Sequence, residues 1–158
     1  MNNSIKSLSV LGLVLLLGIG TTGEAYGDKK RSDTPGMETG ETPTNLVGTK
    51  VLTAEALRRL IDASGASIFD VRKKISYVES HVPTAKSAAT AYDSQAKKID
   101  VTILGPDKSA PIVFYSHGPD GWKSYWSAKT AVEAGYSNVM WFRGGFAAWD
   151  KKELPLAR

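Results

Sequence analysis

Pro111-Ile112-Val113-Phe114-Tyr115-Ser116-His117-Gly118-Pro119-Asp120-Gly121-Trp122-Lys123-Ser124 is the stretch whose reading decides the architecture. Ile112 to Tyr115 is an unbroken apolar run of strand length, the pattern of a strand buried on both faces of a parallel sheet. Ser116 to Trp122 carries two glycines and a proline and reads as a loop. Lys123 to Ala134 then reads as a helix closed by Gly135. Asn138 to Phe142 repeats the buried-strand pattern, Arg143-Gly144-Gly145 is a turn, and Phe146 to Lys151 is a short helix. Strand, helix and strand at this spacing predict right-handed crossovers and an α/β fold, a mainly parallel central sheet covered by helices on both faces.

Upstream, Thr53 is placed as a helix N-cap, with Glu55 in the first turn, where the helix dipole favours it. Leu57, Leu60 and Ile61 fall on one face before Gly65 ends the helix. Ala66 to Phe69 reads as a short buried strand running into Asp70-Val71-Arg72, where charge arrives abruptly. A helical turn is expected from Lys74 to Glu79, before Pro83. Residues 84–108 give little periodic signal apart from the apolar patch Val101 to Leu104. No internal repeat is visible.

The N-terminus bears on compartment. Lys6 precedes an apolar run from Leu8 to Ile19 that is short for a bilayer span, and Ala25-Tyr26-Gly27 offers the small residues signal peptidases prefer. Residues 1–27 are therefore expected to be a cleaved signal peptide, with an uncleaved membrane anchor as the alternative. The expected location is periplasmic or secreted. A lipid-anchored protein would need a cysteine, and the chain has none. Residues 28–48 are rich in Thr, Gly, Pro and charge and are expected to be a flexible linker. Residues 49–158 are enough for one domain, whose core must hold without disulfides. The signal contains one basic residue, Lys6, and one acidic, Glu24, so its removal leaves the formal charge at +4. That mild excess has no dense cluster; it suits a preference for anions better than nucleic acid.

Three stretches in order resemble the rhodanese-like, or sulfurtransferase, superfamily over residues 49–158. Phe69-Asp70-Val71-Arg72 with Ser80-His81-Val82-Pro83-Thr84-Ala85 is similar to its Asp-Val-Arg strand end and following turn. Val113-Phe114-Tyr115-Ser116 with Lys123-Ser124 is similar to a strand ending in Tyr-Cys and a loop closed by Arg-Ser. Gly135 to Val139, Arg143 to Trp149 and Leu154-Pro155 are similar to its C-terminal pattern. The agreement of separate signals implies the family's fold. Two departures stand out: Ser116 occupies the place of the sulfur-carrying cysteine, and the loop from Ser116 to Lys123 has eight residues, longer than the family's usual loop. Some exported members carry a second cysteine just before a tryptophan in this loop, where this chain has Gly121.

A persulfide relay needs a thiolate, and a serine hydroxyl cannot carry sulfane sulfur. The resemblance thus implies a non-catalytic domain that keeps an anion-binding loop, formed by Ser116, His117, Gly118, Asp120, Gly121, Trp122, Lys123 and Ser124. Backbone N–H groups and the next helix's N-terminus would face the anion. Arg72 would help attract it, while Asp70 would orient the loop or brace the backbone near Pro83. Trp122 is expected at the pocket mouth, and Trp126, Trp141 and Trp149 in the core. A sulfurtransferase would require this chain to be a variant of a cysteine-bearing parent. A Ser116-dependent hydrolase would require His81 or His117 as base. No cofactor is implied, and two histidines without supporting carboxylates are not a metal-ligand set. The expected partner is a small anion, a sulfur compound or a protein; a membrane enters only if the signal is retained.

Overall fold

The computed structural model of the chain describes residues 38–158, so the expected signal peptide and the first part of the expected linker lie outside the described residues. The order is β1 (Thr49–Val51), α1 (Ala54–Asp62), β2 (Ser67–Asp70), α2 (Lys74–Glu79), β3 (Lys86–Ser87), β4 (Tyr92–Asp93) and β5 (Lys98–Ile99). A 3-10 turn (Val101–Leu104) follows, then β6 (Ile112–Tyr115), α3 (Trp122–Glu133), β7 (Val139–Phe142) and α4 (Gly145–Lys151). Five strands form one sheet in the order β1-β7-β6-β2-β3, with every neighbouring pair parallel. β4 and β5 form a separate antiparallel pair.

The apolar runs read as two-sided strands are two-sided. Phe69, Ile112, Phe114, Val139 and Trp141 pack on one face with Ala128 and Ala131 of α3. Their neighbours Ile68, Val113, Tyr115, Met140 and Phe142 pack on the other with Leu57 of α1 and Trp149 of α4. Strand alternation with helices on both faces fixes the register, because a one-residue slip would exchange the two cores. Local signals agree: the Thr53 hydroxyl accepts the Ala56 N–H at 3.2 Å, and Gly135, at φ +87°, ends α3 in a conformation that favours glycine.

The strand order also locates the site. From β2 the chain moves outward to β3, and from β6 it moves the opposite way to β7. The connections therefore diverge above the C-terminal ends of β2 and β6, the place where open parallel sheets leave a crevice. Asp70 ends one of these strands and Tyr115 the other, paired in register. Ser116 is the first residue beyond.

Candidate functional site

Ser116 is 3% exposed. The backbone after it folds tightly onto itself: the Gly121 N–H donates to the Gly118 carbonyl at 2.8 Å, the Trp122 N–H to Asp120 at 3.0 Å, and the Ser124 N–H to Gly121 at 3.0 Å. These three N–H groups are satisfied by carbonyls within the loop. The Phe146 and Ala147 N–H groups of α4 donate to the Ser116 and His117 carbonyls at 2.9 and 2.8 Å. This approach requires Gly145, at φ +58°, since a Cβ there would lie 2.5 Å from the Ser116 oxygen. Gly121 is equally confined: its Cβ would lie 2.8 Å from Ser116 Cβ and 2.7 Å from the Gly118 oxygen. The two positions that the resemblance aligns with cysteines thus face each other, closer than the roughly 3.5–4.5 Å that a disulfide spans between Cβ atoms.

Ser124 braces the loop. Its buried hydroxyl donates to the Gly121 carbonyl at 2.8 Å and accepts the Trp141 Nε1–H at 3.0 Å. Trp141 is a core side chain, as expected, whose one polar atom ties β7 to the loop. Lys123 holds its ammonium 5.3 Å from the centre of the Tyr92 ring, and Asp120 is exposed.

Beneath the loop lies a charged network. The Arg72 guanidinium donates to both Asp70 oxygens, from Nε to Oδ1 at 3.1 Å and to Oδ2 at 3.0 Å and from Nη2 to Oδ2 at 2.7 Å, and Nη2 also reaches the Ser80 carbonyl at 2.6 Å. The Tyr115 hydroxyl donates to Asp70 at 2.7 Å and accepts the Val82 N–H at 3.2 Å. Burial, reinforced by the Asp70 charge, pushes the Tyr115 phenol far above its ordinary pKa. Asp70 reaches the backbone before Pro83 only through Arg72, which donates to the Ser80 carbonyl, and Tyr115, which accepts the Val82 N–H. Arg72 is 3% exposed, its charge is paired with Asp70, and its guanidinium lies 4.1 Å from the centre of the Phe146 ring. His81 is stacked on Tyr77 with centroids 3.9 Å apart, and its Nδ1–H faces the Tyr77 carbonyl at 2.9 Å. That geometry gives His81 a structural task. Among the described residues, no three His, Asp or Glu side chains gather as metal ligands.

The described part of the expected flexible linker, residues 38–48, lies across the loop as a strap. The Thr42 N–H and hydroxyl both donate to the Pro119 carbonyl, at 2.9 and 2.7 Å. Trp122 Nε1–H donates to the Gly40 carbonyl at 3.0 Å. Arg143 donates to the Pro43 carbonyl at 2.9 Å, and to the Thr42 carbonyl and the Glu41 carboxylate at 2.8 Å each. Glu38 receives Lys97 and, at 3.2 Å, the Trp126 Nε1–H. Trp126 is therefore half-buried under the strap, where its polar edge finds a carboxylate, and not in the core as expected. Sequence reading missed Tyr115, Arg143 and Thr42 as site residues; Thr42, 3% exposed, sits in a stretch of polar residues where nothing local marks it as buried.

An open parallel sheet with a loop over the switch point between its central strands puts the candidate site after β6. Residues 53–152 match the family model of the rhodanese-like domain, and the chain belongs to that family. The uncharacterized protein YibN of Escherichia coli strain K12 is 26% identical over 109 residues, 69% of this chain and 73% of YibN. The Alr3790 protein of Anabaena sp. superposes with a TM-score of 0.55 at 22% identity, covering 67% of this chain and 90% of that one. A thiosulfate sulfurtransferase from Pseudomonas aeruginosa gives 0.54 at 24% identity over 70% of this chain; the match spans 20% of that larger protein. These likenesses establish the fold.

Three outcomes are expected. Tyr115→Phe leaves an Asp70 oxygen and the Val82 N–H short of a partner, lowering the unfolding free energy by about 2 kcal/mol, read from the urea midpoint at unchanged slope. Gly121→Ala forces the loop open against Ser116 and Gly118, costing about 1–3 kcal/mol, with amide shift changes concentrated in residues 116–124. For Glu38, burial acts to raise the pKa, but the Lys97 hydrogen bond, its own backbone N–H, the Lys97 charge and Trp126 together hold it below the usual carboxylate value. The groups facing it are Lys97, Trp126 and the Tyr92 phenol, which burial and then the charges of Glu38 and Asp93 push up to about 12. A carboxylate with a lower pKa when docked holds the strap fully above its free pKa, about 4.3, and less as pH falls through the docked value. Acidification from about pH 6 to about pH 3 is therefore expected to change Trp122 and Trp126 emission in a step that Glu38→Gln abolishes.

Proposed function

We propose that this protein is a non-catalytic rhodanese-like module, exported after removal of residues 1–27, whose loop from Ser116 to Ser124 recognises an anionic ligand or a partner's sulfur group without turning it over. One observation carries the reading: the nucleophile position at the end of β6 holds Ser116, and the chain contains no cysteine. Around it the strand end, the glycine-bearing turn and the braced helix start are all formed. A hydroxyl there cannot form the persulfide on which sulfur transfer depends. Lys123 in the loop supplies positive charge for an anionic group.

The test is thiosulfate:cyanide turnover and persulfide formation by the wild type and by Ser116→Cys. Wild-type turnover is expected at background, with the variant forming a persulfide detectable by mass as one added sulfur. Wild-type turnover above background would refute the non-catalytic reading. Titration with thiosulfate and sulfate, followed by amide shifts of residues 116–124, tests recognition separately; unmoved amides at saturating anion would refute anion recognition by the loop. Export predicts a periplasmic or secreted mature chain that begins at Asp28.

A further inference from the structure

The strap binds a surface that has no need of its being part of the same chain. Its contacts use two carboxylates three positions apart, Glu38 and Glu41, the carbonyls of Gly40, Thr42 and Pro43, and one buried threonine. Any extended acidic peptide with that spacing offers the same groups. The segment contributes no buried apolar side chain between residues 38 and 43, and no strand ladder joins it to the sheet. The receiving face, by contrast, is set on fixed elements. Trp122 and Trp126 lie one turn apart on α3 with their rings stacked at 6.2 Å, Arg143 directly follows β7, and Lys97 directly precedes β5.

We propose that Lys97, Trp122, Trp126, Arg143 and the Pro119 carbonyl form a docking site for an extended acidic peptide of a partner protein, and that residues 38–43 occupy it as a displaceable stand-in. The two cations face the two carboxylates, the indole N–H groups take a carbonyl and a carboxylate, and the Pro119 carbonyl reads a hydroxyl and an amide. Charge pairing gives orientation, and main-chain contacts give a grip that tolerates varied side chains. Because the stand-in is tethered, its high effective concentration masks the site from weak competitors. A partner that displaces it also uncovers the Pro119 side of the loop. This inference is independent of anion recognition at Ser116, and failure of thiosulfate or sulfate to bind there leaves it standing.

The probe is a synthetic peptide spanning Gly36 to Asn45, titrated against the full chain with tryptophan emission as readout. The double variant Glu38→Gln, Glu41→Gln weakens the tethered competitor without touching the receiving face. It is expected to bind the peptide at least about ten-fold more tightly than the wild type does. A peptide carrying glutamine at both acidic positions is expected to bind it at least about ten-fold more weakly, and adding Arg143→Ala is expected to remove binding. Equal affinity for wild type and double variant, or binding indifferent to Arg143→Ala, would overturn the proposal. Hydrogen exchange at the Thr42 amide supplies the second measurement. Loss of its protection in the double variant is expected; unchanged protection, or loss of protection with no peptide binding, overturns the proposal as well.

Discussion

The buried pair of Asp70 and Arg72 is the interaction on which the site depends. Two ions taken wholly out of water are costly, and only a fully satisfied arrangement makes their burial tolerable. Here the carboxylate receives the guanidinium, the Arg72 N–H and the Tyr115 hydroxyl, while the guanidinium reaches on to the Ser80 carbonyl. The network therefore joins the end of β2, the turn after α2 and the last residue of β6. Phe146, packed on the guanidinium, brings in α4, whose first N–H groups hold the carbonyls of Ser116 and His117. The position of Ser116 follows from this junction and owes nothing to the atom it presents.

That division explains how a sulfur-transfer scaffold persists without a thiol. The loop is shaped by backbone hydrogen bonds, by Gly121 and Gly145 at points where a Cβ would collide, and by Ser124 relaying to Trp141. None of these contacts involves the reactive position's side chain as a donor or acceptor. Three loop N–H groups close on loop carbonyls, so the turn holds its shape through its own backbone. The cationic and aromatic groups around it, Lys97, Arg143, Trp122 and Trp126, lie where the strap runs.

The sheet was legible because its central strands are long enough to bury alternate residues in two different cores. Ile112 to Tyr115 and Val139 to Phe142 could hardly be read otherwise, and the Thr53 cap and the Lys74 to Glu79 turn carried their own local signals. Residues 84–108 resisted because their strands, Lys86–Ser87, Tyr92–Asp93 and Lys98–Ile99, are two residues each, too short for any period to register. Asp70 and Arg72 were legible as a charged strand end, but a sequence does not show that the two side chains pair and are buried together. The strap was read as linker because it lacks bulky apolar residues, and composition is blind to a segment held by carbonyls and carboxylates. Trp126 was assigned inward with the apolar residues of its helix; its indole N–H, satisfied by Glu38, lies at the half-buried edge instead.

The strap's contacts also set an order of events during folding. Thr42 finds Pro119 across 77 positions of sequence, Trp122 finds Gly40 across 82, and Arg143 finds Glu41 across 102. Contacts at such separation form after the loops between them have closed, and these can close only once β6, α3 and β7 have assembled. In synthesis the strap precedes every group that it will bind, so it waits through the making of nearly the whole domain. Its full set of contacts is therefore available only once Arg143, at the end of the last strand, is in place.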